Sequence, residues 1–266
     1  MWKNGCAAVG DTEMFYVSFG RGRKNLVVLP GLSDGLATVK GKAAILSVSY
    51  RRFFSDYTVY LFSRKNRMPE GYSIREMARD QATVLKSLGI ERAYVLGVSL
   101  GGMIAQYLAI DYPELVEKLI LAVTAPNANP VVTAAVSGWI GMAERGEHTA
   151  LIVDTAEKTY SEAYFQKSRK LFPLLAAITR PKSYERFLRN AQAILRFDSR
   201  GELARIACPT LIIAGSSDRT LGKDACFALK AAISDSALFI YDGLGHAVYE
   251  EAKDFYDRVL AFCNQE

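Results

Sequence analysis

Short apolar runs alternate with helical patterns along most of this chain, and this alternation limits its fold more than any other feature. Runs typical of buried strands lie at 26–29, 57–62, 93–97, 119–123, 209–215 and 237–241. Strands that are apolar throughout suit a parallel sheet covered on both faces. The chain is therefore predicted to form βαβ units in an α/β fold. A further β-rich run at 14–19 is predicted to form an antiparallel edge with 26–29.

The helical patterns between these runs carry recognisable start and stop signals. Residues 73–76 read Ser-Ile-Arg-Glu, a capping box in which the Ser and Glu side chains satisfy each other's backbone amides. Gly89 fits the end of this helix. One further helix is predicted from 100 to 112, another around 223–233, and a last one from about 247 to 262.

Residues 125–206 depart from the alternation, because helical patterns dominate and no clear strand is present. The core is predicted to comprise 1–124 and 207–266, with 125–206 as a helical insertion. Several large apolar side chains in the insertion are predicted to form its own core, with an acyl pocket as the alternative: Trp139, Ile140, Met142, Leu171, Phe172, Leu174, Leu175 and Phe187. The basic residues Lys167, Arg169 and Lys170 are predicted to lie on a solvated helix face, and attraction of an acidic substrate is the alternative.

Composition excludes several classes of protein. The 266 residues carry a net charge of +5, but Lys and Arg are scattered, so no nucleic-acid partner is expected. Four cysteines without a CxxC pair favour a reduced cytoplasm over a disulfide framework. The first residues lack a signal-peptide pattern, and no apolar run reaches the ~18 residues that span a bilayer, so no stable membrane insertion is expected. The oligomeric state stays open.

The chain has only two histidines, His148 and His246. A His-rich metal site is therefore excluded, and a catalytic histidine must be one of the two. The G-x-G-x-x-G fingerprint of dinucleotide binding is absent. We accordingly predict neither a metal nor a cofactor.

Residues 94–103 contain the motif G-x-S-x-G between an apolar strand and an apolar helix. This context indicates a sharp strand-to-helix turn that exposes the Ser99 hydroxyl above the sheet edge. Gly97 and Gly101 supply room for the turn, and the helix start directs free N–H groups to the same place. Ser99 is thus the candidate nucleophile. The alternative is a glycine-rich turn with an incidental serine.

Four segments occur in the order typical of one superfamily: Leu26–Gly31, Gly97–Gly102, Pro209–Asp218 and Gly243–His246. On these motifs the chain resembles the α/β-hydrolase superfamily over nearly its whole length, and in particular its serine-nucleophile, lid-bearing, esterase- and lipase-like members. The resemblance implies a mainly parallel central sheet flanked by helices. It also implies a helical lid inserted after the sixth strand.

The resemblance implies a catalytic triad of Ser99, Asp218 and His246. In this family the acid follows one strand and the histidine a later one, in the chain order Ser, Asp, His. Asp242 is a rival for the acid because it lies close to His246 in sequence. His148 lies in a polar stretch of the insertion and is predicted to be solvated.

The resemblance also implies an oxyanion hole of two backbone N–H groups. The amide of Leu100, directly after the nucleophile, is assigned as one donor, and the amide of Leu32 as the other. Relatives often have His-Gly before the second donor, whereas this chain has Pro30-Gly31. This departure removes the histidine but keeps a backbone donor.

The expected function is hydrolysis of a carboxylic ester or related acyl bond in a small-molecule substrate, through an acyl-enzyme. A lactone hydrolase, a carbon–carbon bond hydrolase or a perhydrolase would use the same three residues. A ligand-binding receptor on a hydrolase fold is an alternative from another class. Haloalkane dehalogenases and epoxide hydrolases are disfavoured, since those relatives have Asp in the position of Ser99.

Overall fold

A single eight-stranded sheet forms the centre of the computed structural model, which describes residues 2–265. The strands are β1 (Trp2–Val9), β2 (Thr12–Gly20), β3 (Lys24–Leu29), β4 (Tyr57–Phe62), β5 (Ala93–Val98), β6 (Val116–Ala122), β7 (Thr210–Gly215) and β8 (Ser236–Tyr241). Their order across the sheet is β1-β2-β4-β3-β5-β6-β7-β8. All neighbours from β4 to β8 pair in parallel, whereas β2 is antiparallel to both β1 and β4. The predicted mainly parallel sheet is confirmed.

The antiparallel edge differs from the prediction. It consists of β1 and β2, while β3 pairs in parallel with β4 and β5 inside the sheet. The side chains of Leu26–Leu29 are buried on both faces, and only a central position can cover them. Strand β1 has only a weak strand pattern in the sequence, because only Ala7 and Val9 of its side chains are buried.

Helices cover both faces of the sheet and fill the insertion. They are α1 (Ala43–Ser47), α2 (Ile74–Ser87), α3 (Leu100–Asp111), α4 (Pro130–Glu144), α5 (His148–Thr159), α6 (Glu162–Ser168), α7 (Leu171–Thr179), α8 (Glu185–Leu195), α9 (Ala225–Ala232), α10 (Val248–Glu251) and α11 (Phe255–Asn264). The predicted capping box begins α2. The single helix predicted over 247–262 is instead two helices, because Ala252 adopts an extended backbone. The break lets Val248 and Phe255 both reach the core, where neither is exposed.

Helices α4 to α8 lie between β6 and β7, in the segment that the sequence sets apart. Helix α4 packs on α5 and α8, and α7 packs on α5. A small separate apolar cluster of Ala156, Phe165 and Phe172 holds α5, α6 and α7 together. Trp139 and Phe187 are buried as predicted, but Leu171, Leu174 and Leu175 are exposed rather than part of a core. Within residues 2–265, no helix is both long and apolar enough to cross a bilayer.

Candidate active site

Ser99 occupies the turn between β5 and α3, and its backbone has φ 54° and ψ −119°. A positive φ is uncommon for a residue with a side chain and costs roughly 1–3 kcal/mol, so surrounding contacts must hold it. The Ser99 N–H donates to the Ala122 carbonyl at 2.9 Å. The Thr124 hydroxyl donates to the Ser99 carbonyl at 2.8 Å. Ser99 itself is partly exposed, although the residues on both sides of it are buried.

The glycines of the motif are required by close packing around this turn. A Cβ atom on Gly97 would lie 2.6 Å from the Gly101 carbonyl oxygen, and one on Gly101 would collide with the Leu29 carbonyl. Any larger residue would push the start of α3 away from β3 and β5. The two glycines therefore let the helix begin directly above the strand ends and present Ser99 there.

Asp218 and His246 form a buried hydrogen-bonded pair. His246 Nδ1 lies 2.8 Å from Asp218 Oδ2, and the two side chains are 7% and 4% exposed. The other carboxylate oxygen, Oδ1, accepts the N–H groups of Thr220 and Leu221 at 2.8 and 2.9 Å. Asp218 is thus fixed from one side and contacts the ring from the other. With Nδ1 held by a carboxylate, Nε2 is the ring nitrogen left for proton transfer.

The rival acid Asp242 makes a different contact. Its side chain is exposed and accepts a hydrogen bond from the Ser216 hydroxyl at 3.0 Å. Among the described residues, His246 has its carboxylate contact with Asp218 and none with Asp242.

The three predicted triad residues follow β5, β7 and β8, whose carboxyl ends meet at one edge of the parallel sheet. The loops after β7 and β8 are tied together by the Ser217 N–H, which donates to the Leu244 carbonyl at 2.9 Å. No hydrogen bond joins the Ser99 hydroxyl to His246 in the part of the chain described. Such contacts are often loose without substrate and tighten in the complex.

Leu32 and Leu100, the predicted oxyanion donors, each begin a helical turn. Leu32 opens the 3-10 turn Leu32–Gly35, and Leu100 opens α3. The first N–H groups of such turns have no acceptor within the helix, so they are free for a ligand. A Cβ on Gly31 would lie 3.8 Å from Ser99 Oγ, which shows how closely the Leu32 loop approaches the nucleophile.

A buried arginine holds that loop. Arg64 is 4% exposed, and its guanidinium donates to the carbonyls of Pro30, at 2.6 Å, and Gly31. Asp34, also buried, accepts the Arg64 backbone N–H at 3.1 Å and lies 3.4 Å from Arg64 Nε. Burial lowers the pKa of Arg64, and the nearby charge of Asp34 opposes this.

Arg186, on α8 of the insertion, joins the same cluster. Its Nη2 lies 3.0 Å from Asp34 Oδ2, and its guanidinium also donates to the carbonyls of Lys65 and Asn66. Sequence reasoning missed this cluster of Asp34, Arg64 and Arg186. Asp34 and Arg64 lie in the loops after β3 and β4, but nothing in the sequence near either residue indicates that they pair.

His148 differs from its prediction, because it is 4% exposed rather than solvated. Its Nε2 lies 3.4 Å from Thr179 Oγ1, and its ring packs on Tyr184. Burial, followed by the charge of Arg180, lowers its pKa. The contacts of His148 are thus to other residues of the insertion. Residues 2–265 bring no three His, Cys, Asp or Glu side chains together in the manner of a metal site.

Comparison with known proteins agrees with this fold. A family model described as α/β hydrolase fold matches residues 26–253. The chain therefore belongs to the α/β-hydrolase fold family, and it is a hydrolase of that family.

The names of the proteins that the chain resembles refer to different substrates. It is 26% identical over 216 residues to a putative carbamate hydrolase RutD of Serratia proteamaculans, with 74% of each chain covered. It is 29% identical over 272 residues to the 2-hydroxy-6-oxononadienedioate/2-hydroxy-6-oxononatrienedioate hydrolase 2 of Pseudomonas putida, covering 95% of this chain and 92% of that one. The crystal structure of MGS-M2, an α/β hydrolase from a Medee basin deep-sea metagenome library, matches with a TM-score of 0.86 at 21% identity over 98% of both chains.

Proposed function

We propose that this hydrolase cleaves a carboxylic ester or related acyl bond of a small molecule through Ser99, His246 and Asp218. The observation that carries the proposal is the buried hydrogen bond between His246 Nδ1 and Asp218 Oδ2, at the sheet edge where Ser99 is held with a positive φ. A base oriented by a carboxylate, together with a partly exposed serine on a rigid turn, is the arrangement that acyl transfer needs.

In the proposed reaction, His246 Nε2 takes the proton of the Ser99 hydroxyl as the oxygen attacks the substrate carbonyl. The negative oxygen of the tetrahedral intermediate accepts the N–H groups of Leu32 and Leu100, each worth about 3 kcal/mol by analogy with other oxyanion holes. His246 then protonates the leaving group. A water molecule, activated by the same ring, releases the acid from Ser99.

We also propose that residues 125–206 act as a lid whose inner surface selects the substrate. The support is the packing of α8 on the Leu32 loop: a Cβ on Gly35 would lie 2.7 Å from Phe187 Cα. Arg186 adds its contact with Asp34 beside this point. The insertion therefore adjoins the predicted oxyanion donor, and its shape would limit which acyl groups reach Ser99.

The test is hydrolysis of p-nitrophenyl esters of graded acyl length by the native protein and matched variants. We expect Ser99→Ala to remove nearly all turnover, and Asp218→Asn to lower kcat about 10⁴-fold, as loss of the orienting carboxylate does elsewhere. Asp242→Asn is the control, and it should stay within twofold. Equal losses in the two Asp variants would contradict the assignment of the acid.

A second candidate follows from the names of the relatives, which include a carbamate hydrolase and a 2-hydroxy-6-oxononadienedioate hydrolase. The same residues would serve a lactone, a carbon–carbon bond or a perhydrolase reaction. We therefore include a carbamate, a lactone and a 2-hydroxy-6-oxo-dienedioate in the assay. If the native protein hydrolysed one of these compounds but no ester, and Ser99→Ala lost that activity, the new substrate class would replace the ester proposal. Binding without turnover of any substrate would favour a receptor.

A further inference from the structure

Helix α7 is apolar on its outer as well as its inner face. Its sequence, Leu-Phe-Pro-Leu-Leu-Ala-Ala-Ile-Thr, contains no charged residue. Phe172 and Ala176 form the inner face and are buried, and Phe172 stacks against Phe165 and Tyr160. These contacts already attach the helix to the rest of the insertion, so its outer face is not needed for that packing.

The outer face carries a stripe of large apolar side chains. Leu171, Leu174, Leu175 and Ile178 are 61%, 67%, 45% and 83% exposed. Their spacing of i, i+3, i+4 and i+7 places all four on one side of the helix. The exposed side of a surface helix is normally polar, and a contiguous apolar patch of this kind marks an interaction site. We call these four side chains the α7 stripe.

Positive charge flanks the α7 stripe at both ends. Lys167, Arg169 and Lys170 precede it, Arg180 and Lys182 follow it, and all five are exposed. Within residues 2–265, none of the five forms an ion pair. Glu162 is the single acidic residue between 161 and 182, so five positive charges and one negative charge give this segment a net charge of +4. The segment therefore combines an apolar centre with uncompensated cations.

We propose that the α7 stripe docks on an anionic lipid bilayer, with α7 lying parallel to the surface at the level of the headgroups. The apolar side chains would enter the acyl boundary, and the flanking cations would meet lipid phosphates. Tyr164 on α6, which is 42% exposed and stacked on Tyr160, adds an aromatic ring with a polar tip to the surface of the insertion. With nine residues, α7 lies in the interface and does not span it.

Charge decides between this partner and a second copy of the chain. A two-fold symmetric dimer through the α7 stripe would bring the same patch of both copies together. Each copy would then place five exposed cations near five others, with one acidic residue each to offset them. Anionic headgroups supply the opposite charge, so a lipid surface satisfies both the apolar and the charged parts of the segment.

The experiment is co-sedimentation of the full chain with vesicles of pure phosphatidylcholine or of phosphatidylcholine with phosphatidylglycerol, at low and high salt. We expect at least tenfold stronger binding to the anionic vesicles, weakened by salt because surface charges are screened. The double variant Leu174→Glu/Ile178→Glu should lose at least tenfold in binding. Ile45→Glu is the control, because Ile45 is 77% exposed but lies on α1, which packs on β1 and β2.

The cations are tested separately with the triple variant Lys167→Gln/Lys170→Gln/Lys182→Gln, which should bind anionic vesicles at least fivefold more weakly. Lys3→Gln/Lys253→Gln, also exposed, is its control and should bind like the native protein. Circular dichroism and Tm verify that each variant is folded.

Equal binding to both vesicle types, or equal losses in Ile45→Glu and the stripe variant, would overturn the proposal. So would a native dimer, seen by light scattering, that Leu174→Glu/Ile178→Glu converts to a monomer without any vesicle binding. Binding is measured without turnover and can be repeated with Ser99→Ala. Its outcome is therefore independent of the proposed chemistry.

Discussion

At the scale of single residues, the position of Ser99 depends on hydrogen bonds to its backbone rather than to its hydroxyl. The Ser99 carbonyl accepts from the Thr124 hydroxyl and from the Gly102 N–H, both at 2.8 Å. Its N–H is fixed by the Ala122 carbonyl. Because these contacts use main-chain atoms of Ser99, they maintain its positive φ and leave its hydroxyl available to react.

Arg64 is the residue outside the predicted triad whose substitution we expect to affect turnover most. In Arg64→Lys, one ammonium group cannot reproduce the paired donation to the Pro30 and Gly31 carbonyls, so the Leu32 amide loses its fixed direction. We expect kcat to fall about 10- to 100-fold, equivalent to roughly 1.4–2.7 kcal/mol, with little change in KM. The measurement is steady-state kinetics on the best substrate.

Arg67→Lys is the matched control for Arg64→Lys, since the Arg67 side chain is 72% exposed. It should leave both kinetic constants within twofold. If Arg64→Lys raised KM and left kcat unchanged, Arg64 would act in substrate binding and not in positioning the loop.

Among the secondary-structure elements, α2 offers the clearest link between a short motif and stability. The Ser73 hydroxyl and N–H both contact Glu76 Oε2, at 2.7 and 2.8 Å, and the Glu76 N–H donates to the hydroxyl at 3.2 Å. Ser73→Ala should lower the free energy of unfolding by about 1 kcal/mol, measured by urea titration. Ser87→Ala, at the other end of α2, should change it by less than about 0.5 kcal/mol.

The same capping box gives this stabilisation a defined pH dependence. Hydrogen bonds from the Ser73 backbone and side chain lower the pKa of Glu76. For an acid with a lowered folded-state pKa, the stabilisation is complete above the unfolded pKa, about 4.3. It is lost as the pH falls from there through the folded value. The difference between native protein and Glu76→Gln should therefore shrink below that pH, and an unchanged difference would contradict the assignment.

Elements differ in how well the sequence predicts them, and the reason is burial. Strands β3, β4 and β7 are visible in the sequence because most of their side chains are buried and apolar. Strand β1 buries two side chains and leaves no such pattern. Helix α7 shows the opposite case, since its apolar residues predict a core although its outer face is exposed. A hydrophobic pattern identifies apolar residues but does not identify what covers them.

The candidate site, too, could be predicted from the sequence only in part. Ser99, Asp218 and His246 stand at the ends of strands that the sequence reveals, so their common edge could be predicted. The ion pair between Asp34 and Arg64 joins residues 30 positions apart, and Arg186 lies 152 positions from Asp34. Pairing over such distances has no local signal in a single sequence. The pairing depends on the fold, which brings the loops after β3 and β4 against α8.

At the scale of the whole molecule, the ion pair between Arg186 and Asp34 attaches the insertion to the loop that follows strand β3. The Asp34 side chain is 1% exposed, so removal of a partner leaves a buried charge with fewer hydrogen bonds. We expect Arg186→Ala to lower the free energy of unfolding by about 3 kcal/mol in a single urea transition, because the insertion and core lose contact together.

Arg189→Ala is the control on the same helix. Arg189 lies 3.9 Å from Glu70, whose side chain is 90% exposed, and such a surface pair contributes about 0–1 kcal/mol. If Arg186→Ala gave two separate transitions, the insertion would unfold independently of the sheet. If both variants lost the same small amount, the buried pair would have no special role.

The ion pair between Arg186 on α8 and Asp34 in the Leu32 loop also constrains how this chain can evolve. The three proposed triad residues all lie outside 125–206, so a recombination event could exchange the insertion without disturbing them. A replacement without a cation at the place of Arg186, however, would leave the buried Asp34 with Arg64 as its remaining ion-pair partner, and this would favour a neutral residue at position 34. We therefore expect the residues at 34 and 186 to be inherited as a pair, while the rest of the insertion diverges freely.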